Sequence, residues 1–225
     1  PTLAMSSAAS DVYKRQIGLP CRVTGTPMRS PGAFVANHSS WLDIFVLNSC
    51  ARVYFVSKAE VSAWPLIGRL ARVTGTVFIR RSRQDAAQQT EMFRARLRNG
   101  HRLLFFPEGT STDGLRVLTF KSSLFEAFFA CDDACRDLWI QPVSVTFFAP
   151  SQRPAAFYGW WGDMEFGTHF IKTLSVWRHG RVELCFNAPR RVADFSSRKD
   201  LAGALEADIR VTHERALTHA PVARE

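Results

Sequence analysis

The chain has 225 residues, of which 46% are hydrophobic and 22% charged. That is enough for one domain with a sizeable buried core, and it excludes a disordered or low-complexity segment. The net charge of +9 favours anionic partners, either nucleic acid or an anionic membrane surface, and the 18 Phe and 6 Trp lean towards the membrane. Cys21, Cys50, Cys131, Cys135 and Cys185 are odd in number and form neither a disulfide framework nor a zinc-ligand pattern; they read as reduced thiols in a cytosolic setting.

Residues 6–16 read Ser-Ser-Ala-Ala-Ser-Asp-Val-Tyr-Lys-Arg-Gln, a direct translation of a transposon adapter used in sequencing libraries. Residues 1–16 are therefore expected to be an adapter scar, with residues 17–225 forming a single domain whose natural N-terminus is truncated. No apolar window of about 18 residues is visible, so no spanning helix is predicted.

Hydrophobic periodicity and turn signals then predict the elements in order. A short apolar strand spans 32–36, a helix opens over 41–47, and strands cover 53–56 and 73–79. A helix over 84–98 places Ala86, Thr90, Phe93 and Leu97 on one face and is stopped by Gly100. A buried strand over 102–106 ends at Pro107, followed by a helix over 122–130, a strand over 139–148 interrupted by Pro142, and a strand over 181–186. A closing helix covers 200–216, with Leu201, Leu205, Ile209 and Ala216 on its apolar face. Residues 150–180 are the least regular; Phe166, Phe170, Leu174 and Trp177 fit one helical face there, either core-facing or touching lipid. The alternation gives an α/β fold, a mixed, largely parallel sheet flanked by helices.

Two segments can carry chemistry. In Asn37-His38-Ser39-Ser40-Trp41-Leu42-Asp43 a histidine follows a strand and an aspartate lies five positions on. A neutral imidazole is a good general base near pH 7, and a carboxylate on its other nitrogen fixes the tautomer and stabilises the imidazolium. Five positions on one straight helix would place the two side chains on different faces, so the pair needs His38 on a loop and Asp43 in the helix. The bland alternative is a helix start capped by Ser39 or Ser40. In Phe105-Phe106-Pro107-Glu108-Gly109-Thr110-Ser111, Glu108 follows a buried strand at the sheet edge where open α/β folds bind ligands.

Together these segments resemble the PlsC-type glycerolipid and lysophospholipid acyltransferases, with Asn37, His38, Ser40 and Asp43 as the first block and Phe106 to Thr110 as the third. Gly75 to Arg81 looks like the second block and Ile140 to Val143 like the fourth, with Gln141 inserted. The resemblance implies an O-acyltransferase that moves a fatty acyl group from a thioester, on acyl carrier protein or coenzyme A, to a hydroxyl of a lysolipid. It implies His38 as base and Asp43 as its orienting partner. Glu108, Gly109 and Thr110 would bind the acceptor, Arg80 or Arg81 its anionic headgroup, and Lys121 would assist. It implies no metal and no tightly bound cofactor. The setting it implies is the cytoplasmic face of the bacterial inner membrane, peripheral or anchored through the missing N-terminus. Cations such as Arg69, Arg72, Arg80 and Arg81 would favour an anionic surface. Many phosphate-using members carry Arg directly after Glu-Gly-Thr, where this chain has Ser111. The stretch Tyr158 to Gly167 resembles members that acylate lyso-ornithine lipid. Lysophosphatidate and lyso-ornithine lipid both remain as acceptors, and Arg116 offers a nearby replacement charge.

Other classes fit less of the chain. No Gly-x-Ser-x-Gly nucleophile elbow and no Gly-x-Gly-x-x-Gly turn occurs. A nucleic-acid-binding protein explains the charge but not the His-Asp pair, and the Arg residues are dispersed, so no nucleic acid partner is expected. A non-catalytic membrane- or lipid-binding module is the alternative from another class.

Overall fold

The computed structural model describes residues 18–63, 68, 76–79, 91–92, 95–97, 99–129 and 137–219. The proposed adapter scar, Arg69, Arg72, residues 73–75, Arg80, Arg81, Cys131, Cys135 and most of the helix expected over 84–98 lie outside them; residues 91–92 and 95–97 of that stretch are helical.

The strands are β1 (Cys21–Thr24), β2 (Gly32–Ala36), β3 (Tyr54–Lys58), β4 (Val77–Ile79), β5 (Leu103–Phe105), β6 (Trp139–Phe148), β7 (Arg181–Phe186) and β8 (Arg190–Arg191). They form one sheet in the order β1-β7-β6-β2-β5-β3-β4, with β8 also pairing β6. Strands β6, β2, β5, β3 and β4 run parallel; β7 is antiparallel to β6 and carries β1 alongside it in parallel. The expected α/β class with a mixed, largely parallel sheet is the fold observed.

Both faces of the sheet are covered, and side-chain alternation decides which residue goes where. On β2, Phe34 and Ala36 join Leu104, Val143 and Val145 on the face packed by helix α1 (Leu42–Cys50) through Leu42, Val46 and Leu47. Ala33 and Val35 turn the other way, to Leu103, Phe105 and Ile140. That second face is covered by Phe125 and Phe128, from the one-turn 3-10 segment Ser122–Phe125 and helix α2 (Glu126–Phe129), and by the long C-terminal helix. Helix α3 (Phe166–Leu174) sets Phe166 and Phe170 against the first face. The C-terminal helix α4 (Arg198–Thr218) starts at Ser197, whose side chain accepts from the Asp200 N–H, and buries Leu201, Leu205 and Ile209.

Two expectations need correction, and two short strands add to those expected. The strand over 139–148 is continuous through Pro142. β6 pairs β8 only up to Ile140 and β7 only from Val143, so the missing N–H of Pro142 falls in the gap between two neighbours. The helix expected from 122 begins as a 3-10 turn and becomes α-helical at Glu126. The strands Cys21–Thr24 and Arg190–Arg191 carried no apolar alternation that the sequence reading could use.

Leu205 is fully buried between α4 and the second face. Leu205→Ala is expected to cost about 2–5 kcal/mol, read as a lowered urea midpoint at unchanged slope.

Candidate active site

β2 and β5 are neighbours, and the segments leaving their C-terminal ends carry the two motifs. The chain leaving β2 goes on to β3, beyond β5, while that leaving β5 goes on to β6, beyond β2, so the two connections run in opposite directions from this edge, the position at which open α/β sheets hold their ligand crevice.

Asn37 closes β2 with its side chain. Its Nδ2 donates to the Val145 carbonyl and its Oδ1 accepts from the Val145 N–H, both at 2.8 Å. The amide thus adds one rung to the β2–β6 ladder, and the backbone is free to turn at His38.

Asp43 sits in the first turn of α1 and is fully buried. Its Oδ2 lies 2.7 Å from His38 Nδ1 and accepts from the N–H groups of Ser39 at 2.9 Å and Ser40 at 3.0 Å. Three donors and the first turn of a helix thus surround this one oxygen. A carboxylate can only accept here, so Nδ1 carries the proton and Nε2 is the basic nitrogen. The His38 ring stacks on Phe106 at 4.1 Å between centroids and keeps 20% of its side chain exposed, whereas Asp43 has none. Ser40 Oγ also accepts from the Leu42 N–H at 3.3 Å, while the N-cap position itself is Trp41, without a side-chain cap.

Glu108 is buried just after β5. Its Oε2 accepts from the His38 backbone N–H and its Oε1 from the Leu118 N–H, both at 2.8 Å. Burial pushes its carboxyl up from 4.5 to about 7; the two backbone bonds and nearby His38 act against that rise, and Asp43 adds to it. The His38 carbonyl accepts from the Thr112 N–H at 2.9 Å, so the loop after β5 grips the His38 peptide on both sides. Gly109 sits at φ +71°, and a Cβ there would fall 2.8 Å from Lys121 Nζ. The exposed Lys121 ammonium therefore lies over the Pro-Glu-Gly turn. Thr110 is exposed beside it.

His38, Asp43, Glu108, Gly109, Thr110 and Lys121 thus belong to one crevice edge, while Arg80 and Arg81 lie outside the described residues. Sequence reasoning missed the Phe106 stack and the grip on the His38 peptide, because neither leaves a spacing signal. Ser39 Oγ is buried with no hydrogen-bond partner, so Ser39 is not wired to His38 as a nucleophile. Among the described residues no group of three or more His, Cys, Asp or Glu could hold a metal ion.

A histidine paired through Nδ1 with a buried carboxylate, at the edge of a covered α/β sheet, is an arrangement suited to general-base group transfer. Comparison with known proteins narrows this: residues 21–146 match the acyltransferase family, and the chain belongs to that family. It is 56% identical over 194 residues to the lyso-ornithine lipid O-acyltransferase of Rhodobacter capsulatus, covering 86% of this chain and 70% of that one. It is 35% identical to the Brucella abortus protein of the same name, covering 83% and 73%. The fold matches the crystal structure of the 1-acyl-sn-glycerophosphate acyltransferase PlsC from Thermotoga maritima with a TM-score of 0.63 at 25% identity, covering 96% of this chain and 80% of that one.

The raised Glu108 carboxyl has a thermodynamic signature. Its folded value exceeds its unfolded one, so its contribution to stability is fully present below about 4.5 and is lost as pH rises through about 7. The stability difference between wild type and Glu108→Gln is expected to shrink over that window, measured by urea melts at pH steps. A difference that grows with pH overturns the assignment.

Proposed function

We propose that the chain transfers a fatty acyl group from a thioester to the hydroxyl of a lysolipid, with lyso-ornithine lipid as the favoured acceptor. The His38–Asp43 contact of 2.7 Å carries the reading. Nε2 of His38 takes the acceptor hydroxyl proton as that oxygen attacks the thioester carbonyl carbon. The C–S bond then breaks, and the imidazolium returns the proton to the departing thiolate. Asp43 holds the tautomer and offsets the transient positive charge. Glu108 holds the His38 peptide in place, and Gly109, Thr110 and Lys121 form the edge at which the acceptor headgroup arrives. Arg80 or Arg81 supplies a further cation for that headgroup.

Ser111 favours the ornithine acceptor. It stands where phosphate-using members carry Arg, and its hydroxyl donates to the Trp160 carbonyl, which fixes it to the Tyr158–Gly167 stretch. Arg116 is engaged with Asp113 at 2.6 Å, so the nearest replacement charge is already paired. The relatives named for lyso-ornithine lipid support the same choice. The donor is the thioester of acyl carrier protein or coenzyme A, and no tightly bound cofactor takes part. The enzyme works at the cytoplasmic face of the bacterial inner membrane, drawn to an anionic surface by its +9 charge. No helix among the described residues is long and apolar enough to cross a membrane.

The test gives the protein labelled acyl carrier protein or acyl coenzyme A, with lyso-ornithine lipid or lysophosphatidate in mixed micelles. Transfer to the ornithine lipid is expected, with His38→Ala slower by about 10²–10⁴-fold or more. Asp43→Asn is expected to lose a similar factor at unchanged fold. Full activity in His38→Ala, or lipid binding without turnover, sinks the reading and favours a lipid-binding module.

A further inference from the structure

Helix α3 is more apolar than its packing requires. His169 and Thr173 are buried and Phe166 and Phe170 half-buried against the core, which accounts for one side. The apolar arc continues past that contact: Ile171 is 68% exposed, Leu174 43%, and Trp177, just beyond the helix, 97%. Large apolar side chains gathered on one exposed helix flank are uncommon without a partner. Lys172 and Arg178 are exposed at this same end, whereas Asp163 and Glu165 lie at the opposite, N-terminal end. An exposed tryptophan among aliphatic side chains, flanked by cations, matches the chemistry of a bilayer interface containing anionic lipid.

The position of the helix ties this flank to the crevice. Phe166 and Phe170 pack on Trp41 with ring centroids 5.9 and 5.2 Å apart, and Trp41 Nε1 donates to His169 Nδ1 at 3.1 Å. Trp41 directly follows Ser40, which donates to Asp43. Trp160, whose ring meets Phe166, donates its backbone N–H to the Ser39 carbonyl at 2.8 Å. The exposed helix and the His38 loop are therefore parts of one packed unit.

We propose that the C-terminal flank of α3, formed by Ile171, Leu174 and Trp177 with Lys172 and Arg178, is the surface that docks on an anionic bilayer and sets the crevice beside it. An acceptor with an acyl chain then passes from the lipid to His38 without crossing water. This rests on the lysolipid reading only for the acceptor's location.

The test is co-sedimentation with vesicles of phosphatidylglycerol and phosphatidylethanolamine, without donor or acceptor, so that it does not depend on turnover. Ile171→Glu and Trp177→Ala are each expected to weaken partition by about tenfold. Val211→Glu serves as control: Val211 is exposed on α4, which packs on the opposite face of the sheet, and partition is expected to stay at the wild-type level. Brominated acyl chains are expected to quench wild-type tryptophan fluorescence more than that of Trp177→Ala. Unchanged partition in both α3 variants, or no partition of the wild type, overturns the proposal. So does weaker use of acyl carrier protein at unchanged vesicle binding, which would make the flank a protein-docking face. Loss of partition in the α3 variants from a protein without acyl transfer leaves docking standing and removes the enzymatic reading.

Discussion

The Glu108 carboxylate bridging two loops is the contact on which the site depends. One oxygen takes the His38 N–H after β2 and the other takes the Leu118 N–H in the long loop after β5. Neither donor has a sheet neighbour to satisfy it, and an unpaired buried N–H is costly. The carboxylate therefore serves two loops at once, and the position of His38 is set by a side chain delivered from the adjacent strand.

Two buried carboxyl groups lie close to one histidine, in different surroundings. Asp43 Oδ2 has three donors and the first turn of a helix. Glu108 has two donors, and burial raises its carboxyl to about 7.

Much of this was legible in the sequence. The apolar runs of β2, β5 and β6 and the apolar stripe of α4 gave the parallel sheet and its cover, because burial on both faces writes itself as continuous hydrophobicity. The His38–Asp43 spacing demanded a loop-to-helix junction, and the chain makes one at Trp41. Less legible were features set by tertiary contact. Pro142 reads as an interruption until the two partial neighbours of β6 are known. β1, half exposed and polar, depends on pairing with β7 for its existence. Glu108 is legible as a residue of the site, but nothing along the chain reveals that its two oxygens accept from peptide groups 10 and 70 positions away.

The amide of Asn37 has a consequence for how the sheet hands over to the site. By matching Val145 with one donor and one acceptor, it acts as a splice: the last bond to β6 is made by a side chain. The next peptide is then released from β6 altogether, and its N–H and C=O are claimed by Glu108 and Thr112 on the β5 side. The polypeptide changes allegiance at this one residue, from the strand on its left to the loop on its right. Only a group carrying both polarities at that reach performs the exchange. Aspartate would present a second acceptor to the Val145 carbonyl, and leucine would present nothing. The residue beside the histidine is thus dictated by the grammar of the sheet, independently of what the histidine itself does.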